Sequence, residues 1–207
     1  MTALMSLTLG CENPEPTRAL CQALGVADRV SAAHSDEPTT GFRGFSLSLV
    51  APSRGHVDAL LQVALDGGAS VLQPASTSFW GYGAIVASPD GAIWKFASSS
   101  KKDTGEAVPE FDNLVVLLGV DDVKASKRFY ISQGMHAGRS FGGKYAELGG
   151  TDGGLTLAVY PRKTAAKEVG ADPAGSGSHR VVLGSDGPAF TDPDGFVWEP
   201  AGMTSER

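Results

Sequence analysis

One short phrase occurs twice in this chain. Residues 86–96 read VASPDGAIWKF, and residues 190–200 read FTDPDGFVWEP. Each has a Pro-Asp-Gly turn between apolar flanks and a Trp three residues past the Gly, at Trp94 and Trp198. Pro presets the first turn angle, Asp accepts local backbone hydrogen bonds, and Gly takes a positive φ. Each phrase therefore predicts a strand, a tight turn and a second strand. The next position differs, with Lys95 in one copy and Glu199 in the other. An internal repeat constrains the fold strongly, because each copy must be one structural unit that packs against its counterpart.

A second repeat precedes the first. Leu4–Cys11 (LMSLTLGC) reads as a strand, and Asn13-Pro14 then supplies a capping side chain and a first-turn proline. Leu20, Cys21 and Leu24 share one helical face, and Gly25 ends the helix. Asn113–Val120 (NLVVLLGV) is again a strand. Asp121 or Asp122 caps the helix that follows, Val123, Ser126, Phe129 and Tyr130 lie on one face, and Gly134 closes it. Between these markers the halves diverge. The first passes almost directly to a strand at Phe42–Val50, a helix near Arg54–Leu65, and strands near Ser70–Leu72 and Tyr82–Ala87. The second carries strands at Ala137–Phe141, Lys144–Leu148 and Leu155–Tyr160. A polar loop, Pro161–Ser178, and a strand at His179–Gly184 follow, with no helix before the second turn.

The expected fold class is α+β. Two domains are expected, 1–98 and 111–207, joined by a serine- and charge-rich linker at 99–110. With 42% hydrophobic and 19% charged residues, the 207-residue chain can bury a core and is not generally disordered. A net charge of -6 without a basic cluster argues against nucleic acid as a partner. Cys11 and Cys21 are too few for a disulfide framework and have no metal-binding spacing around them, so they read as buried apolar residues in a reducing cytoplasm. No signal peptide or membrane-spanning run is apparent, so a cytoplasmic protein without a membrane partner is expected.

A β-α-β-β-β unit used repeatedly and ending in DPDGFVWE resembles the vicinal-oxygen-chelate superfamily, which holds glyoxalase I, extradiol dioxygenases and bleomycin-resistance proteins. The matching stretches are LVVLLGVDDVKASKRFY, GFRGFSLSLVAPSRGHVDALLQVALDGGASVLQP and both Pro-Asp-Gly segments. The resemblance implies βαβββ modules, four here with two of them trimmed, whose curved mixed sheets surround clefts in two glyoxalase-like domains. Metal-dependent members bind a divalent ion through inward-facing His, Glu or Gln. Glu199 and His179 match two such positions; in the first half Phe45 aligns with His179, and Lys95 replaces Glu199. Two ligands do not make a site, so no cofactor is expected, and a divalent metal at His179 and Glu199 is the alternative.

What the resemblance then implies is a cleft for a small organic ligand, aromatic in character. Its candidate walls are Trp80, Tyr82, Trp94, Tyr145, Tyr160 and Trp198, all on or beside predicted strands. Metal-dependent lyase, isomerase or dioxygenase chemistry is the second reading, and a site-less structural descendant the third. A monomer and a homodimer are both compatible with the sequence.

Overall fold

The computed structural model describes residues 2–79, 81–100, 107–149 and 155–202. In chain order the elements are β1 (Leu4–Cys11), α1 (Pro14–Ala23), β2 (Val30–His34), β3 (Thr39–Thr40), β4 (Phe45–Val50), α2 (Arg54–Asp66), β5 (Ser70–Ser78), β6 (Gly81–Ala87) and β7 (Ile93–Ser98). There follow β8 (Asn113–Val120), α3 (Val123–Ser132), β9 (Ala137–Ser140), β10 (Ala146–Leu148), β11 (Leu155–Pro161), α4 (Arg162–Glu168), β12 (Ser176–Gly177), β13 (Val181–Ser185), β14 (Phe190–Thr191) and β15 (Val197–Pro200). The expected caps are present: Asn13 accepts from Glu15 N at 3.3 Å, and Asp122 accepts from Lys124 N and Ala125 N at 2.8 and 3.1 Å. Between its first helix and β4 the first half keeps two strands, β2 and the two-residue β3, neither expected from the sequence. The expected polar loop after β11 contains α4.

Eight strands form one sheet in the order β5-β6-β7-β4-β8-β11-β10-β9, and five form another in the order β14-β15-β13-β1-β2. The first is two complete βαβββ modules joined along β4 and β8, which pair antiparallel with Leu47 opposite Val116. The second joins the trimmed modules, with β1 antiparallel to β13 and Leu7 opposite Leu183. These sheets do not follow the expected boundary between 1–98 and 111–207. Each takes strands from both halves, and the segment expected as an interdomain linker connects β7 to β8 within one sheet. Trimming explains the exchange: β1 and β2 lack the strands of a full module, and the chain's last strands fill the edge they leave.

Registers show that the two halves are repeats in space as well as in sequence. Leu47 lies opposite Trp94, and Leu183 opposite Trp198, so β4 corresponds to β13 and β7 to β15. The same registers make Arg43, and not Phe45, the counterpart of His179. The two residues meet where the halves join. Arg43 Nε donates to His179 O at 3.0 Å, and His179 Nδ1 lies 2.6 Å from Arg43 O. Each also reaches the carbonyl of its own Pro-Asp-Gly turn, Arg43 to Asp90 O at 3.2 Å and His179 Nε2 to Asp194 O at 3.0 Å. Gly10 N donates to Arg180 O, as Gly119 N does to Gly44 O. Gly44 and Arg180 share a left-handed backbone, φ +87 and 47. That conformation costs a non-glycine residue about 1 kcal/mol, and Arg180 makes compensating contacts to Glu37 O at 2.7 Å and Glu12 at 3.5 Å.

The turn aspartates bind across module boundaries. Asp90 accepts from Thr17 of α1 at 3.2 Å, and Asp194 accepts from Ser126 of α3 at 3.0 Å. The Asp90 side chain is fully buried and pairs with Arg43 at 3.1 Å. Strand alternation sends Leu47, Trp94, Phe96, Val116 and Leu157 toward α1–α3, where they join Leu7, Leu9, Leu183 and Trp198 in one continuous core. The opposite face of the eight-stranded sheet is left for other uses.

Candidate functional site

That opposite face is the floor of a cup. Along the strands it presents Ser46 and Ser48 of β4, Lys95 of β7, Val115 and Leu117 of β8, and Thr156, Ala158 and Tyr160 of β11. Each alternates with a residue of the main core. Part of the floor is already covered. Ala165, Ala166 and Val169, on and just after α4, pack on Phe42, Ile85, Ile93, Leu117 and Tyr160 in a second, smaller apolar cluster. Glu168, the last residue of α4, forms an ion pair with Lys95, and Gln73 Nε2 donates to Glu168 O at 3.2 Å. Lys95 and Glu168 side chains keep about a third of their surface in solvent, 31% and 33%.

Beside α4 lies a cluster of aromatic and charged groups. The rings of Tyr145 and Tyr160 meet edge to face with centroids 5.0 Å apart, and Phe141 lies 5.9 Å from Tyr145. The Tyr145 hydroxyl donates to Glu147 Oε1. Arg139 approaches the same carboxylate from both nitrogens, Nε to Oε2 at 3.1 Å and Nη2 to Oε1 at 3.0 Å. Burial works against the Glu147 charge, but the bonds from Arg139 and Tyr145 outweigh it and hold the carboxyl below its usual pKa. Burial first, and then the Glu147 bond, push the Tyr145 hydroxyl well above the ordinary tyrosine value. Tyr160 is raised too, by burial and then by the charges of Glu168 and Glu147. Tyr160 thus stands between the α4 contact and the Arg139–Glu147 cluster, and the arrangement offers aromatic edges, an ionised carboxylate and a lysine.

The expected ligand walls separate. Tyr145 and Tyr160 share the cup. Trp94 and Trp198 are fully buried on the opposite, helix-packed side of their strands. Trp198 sits against Tyr130 and Phe190, with ring centroids 5.6 and 5.2 Å away. Tyr82 also faces the helices, donating to Asp58 of α2 at 2.7 Å with Arg54 over its ring. Trp80 lies outside the described residues. Glu147, Arg139, Gln73 and Glu168 were not singled out from the sequence, although Tyr145-Ala146-Glu147 has the alternation that puts the first and third side chains on one face.

The proposed ion ligands do not meet. Glu199 is exposed and lies opposite Gly184. His179 precedes β13, whose first residue is Val181, and so lies outside the strand pairing that places Glu199 opposite Gly184. His179 stacks on Phe196 at 3.9 Å, and both of its ring nitrogens face backbone carbonyl oxygens, so neither offers a lone pair to an open site. At the position matching Glu199, the cup carries Lys95, whose ammonium repels a cation. No three His, Cys, Asp or Glu side chains group as an ion site among the described residues. The residues present do not fit a divalent ion at His179 and Glu199.

No family profile matches the sequence, and neither does any curated protein. Solved structures do match. Glyoxalase I from Zea mays superimposes with a TM-score of 0.60 at 16% identity, over 96% of this chain and 91% of that one. A candidate dioxygenase from Bacillus subtilis subsp. subtilis str. 168 gives 0.52 at 11% identity, over 93% of this chain and 71% of its own. Full-length agreement at such low identity is a likeness of backbone, in keeping with the paired modules and their registers. The chain shares the paired-βαβββ fold of these solved structures.

Proposed function

We propose that this protein binds a small organic molecule with an aromatic part in the cup of its eight-stranded sheet, on the Tyr145–Tyr160 side of α4. The observation that carries this reading is the half-buried Tyr145–Tyr160 pair, edge to face on the cup surface and adjoining an ionised Glu147. Paired aromatic edges give a flat ligand a shaped apolar contact, and a few fixed polar groups orient it. The likeness to glyoxalase I and to a candidate dioxygenase supports the scaffold for such a site.

Binding of 1-naphthylmethanol, followed by calorimetry and by the rise in melting temperature, tests the reading. An edge-to-face aromatic contact contributes about 0.5–1.5 kcal/mol. Tyr145→Ala and Tyr160→Ala should therefore each weaken binding roughly 2- to 12-fold. Tyr82→Phe, on the other face of the sheet, should leave it unchanged. Equal effects of all three substitutions, or no binding to the wild-type protein, would refute the assignment.

A further inference from the structure

The contact between α4 and Lys95 has the form of an occupied binding site. Lys95 lies on the cup floor, where an unpaired ammonium would be poorly solvated beside Ile85 and Ile93. Its counter-charge comes from Glu168, a carboxylate at the end of α4, and not from a neighbouring strand. The element that delivers it is weakly built. α4 has seven residues and no side-chain cap at its N-terminus, and a helix this short has no stability of its own. It is held by tertiary contacts alone, and its fully buried side chains are two alanines, Ala165 and Ala166. An ion pair with about a third of its surface in solvent gives modest net stabilisation, so a competing carboxylate can replace it at low cost. The charge pattern of the cup floor agrees: Arg139 already neutralises Glu147, and Lys95, set across β4 and β8 from Thr156 of β11, is the cation whose partner rides on a separable element.

We infer that the ligand of this cup is an aromatic carboxylate whose acid group pairs with Lys95 in place of Glu168, the α4 carboxylate serving as an internal competitor. The inference rests on the aromatic site described above and adds to it the charge of the ligand and the residue that reads it. No covalent step is involved; one ion pair is exchanged for another, and α4 loses one of its polar tethers.

Two probes of similar ring size separate the charge from the ring: 1-naphthoate and the neutral 1-naphthylmethanol, titrated by calorimetry into full-length wild type, Glu168→Gln and Lys95→Met. Glu168→Gln should bind 1-naphthoate roughly 2- to 5-fold more tightly than wild type, with no gain for the alcohol. Lys95→Met should lose the preference for the acid and keep its affinity for the alcohol. An unchanged or weakened affinity of Glu168→Gln for 1-naphthoate overturns the inference, as does a preference for the acid that survives Lys95→Met. If the alcohol binds and the acid shows either pattern, only this inference falls. If neither probe binds any of the three proteins, the aromatic site falls with it. Should Glu168→Gln not melt cooperatively, Glu168→Asp makes the same comparison, because its shorter side chain withdraws the carboxylate from Lys95 while keeping the charge on α4.

Discussion

Asp192, the residue before the second Pro-Asp-Gly turn, is buried and bonded to the Tyr130 hydroxyl, Phe196 N and Asp194 N. Burial raises its pKa, and these bonds only partly offset that effect. A carboxyl with a raised folded-state pKa holds its proton in the native protein over a range where the unfolded chain has released it. Its contribution to stability is therefore full below the unfolded value and is lost as pH rises through the folded one. Denaturant melts of wild type and Asp192→Asn across acidic pH should show the wild type losing stability relative to the variant as pH rises from the unfolded aspartate value. A constant difference would contradict this. Not every single-residue role is visible in the chain. Trp94 and Trp198 were legible as equivalents because the same word stands in both copies of the phrase. Arg43 and His179 were not: they differ in size and charge, and aligning the letters placed Phe45 opposite His179. Registers of β4 and β13 against their Trp-bearing partners correct this by two residues.

Among the elements, α4 is the outlier. α1 and α3 have capping side chains, and each is bonded through its fourth residue to a turn aspartate of the neighbouring module. α4 has neither support. Backbone amides of α4 should therefore exchange with deuterium well before those of α1 and α3, because a seven-residue helix without a capping side chain has little stability of its own. A saturating aromatic carboxylate should speed that exchange further. Protection of α4 equal to that of α3 would contradict the weak tethering. The sequence shows α4 as a polar loop because seven residues containing two adjacent alanines and several charges make no amphipathic stripe. Its apolar contacts come from Ile85, Ile93 and Leu117, distant in the chain, which no local window can reveal. Glu147 was missed for a related reason: it falls on the expected strand Lys144–Leu148, but its partner Arg139 comes from another strand, which no local window can reveal.

For the whole molecule, the decisive fact is that both large sheets are built from both halves. The paired modules and the strand content were legible, because periodicity and turn chemistry are local. Which module pairs with which was not, since β1 could join β4 or β13 by pattern alone, and only the missing edge of the trimmed modules decides. It follows that residues 1–100 and 107–207, made separately, should each lack a cooperative melt, and that mixing them should restore the native tryptophan fluorescence in equimolar proportion. Independent folding of either fragment would show that the interleaved pairing is dispensable. The N-terminus has made the strand that waits longest. Leu9 is paired with Val181, and at about 5–20 residues per second of translation that partner leaves the ribosome roughly 10–35 s later. During synthesis the eight-stranded sheet can close around its own strands first, while Leu7 and Leu9 await the emergence of β13.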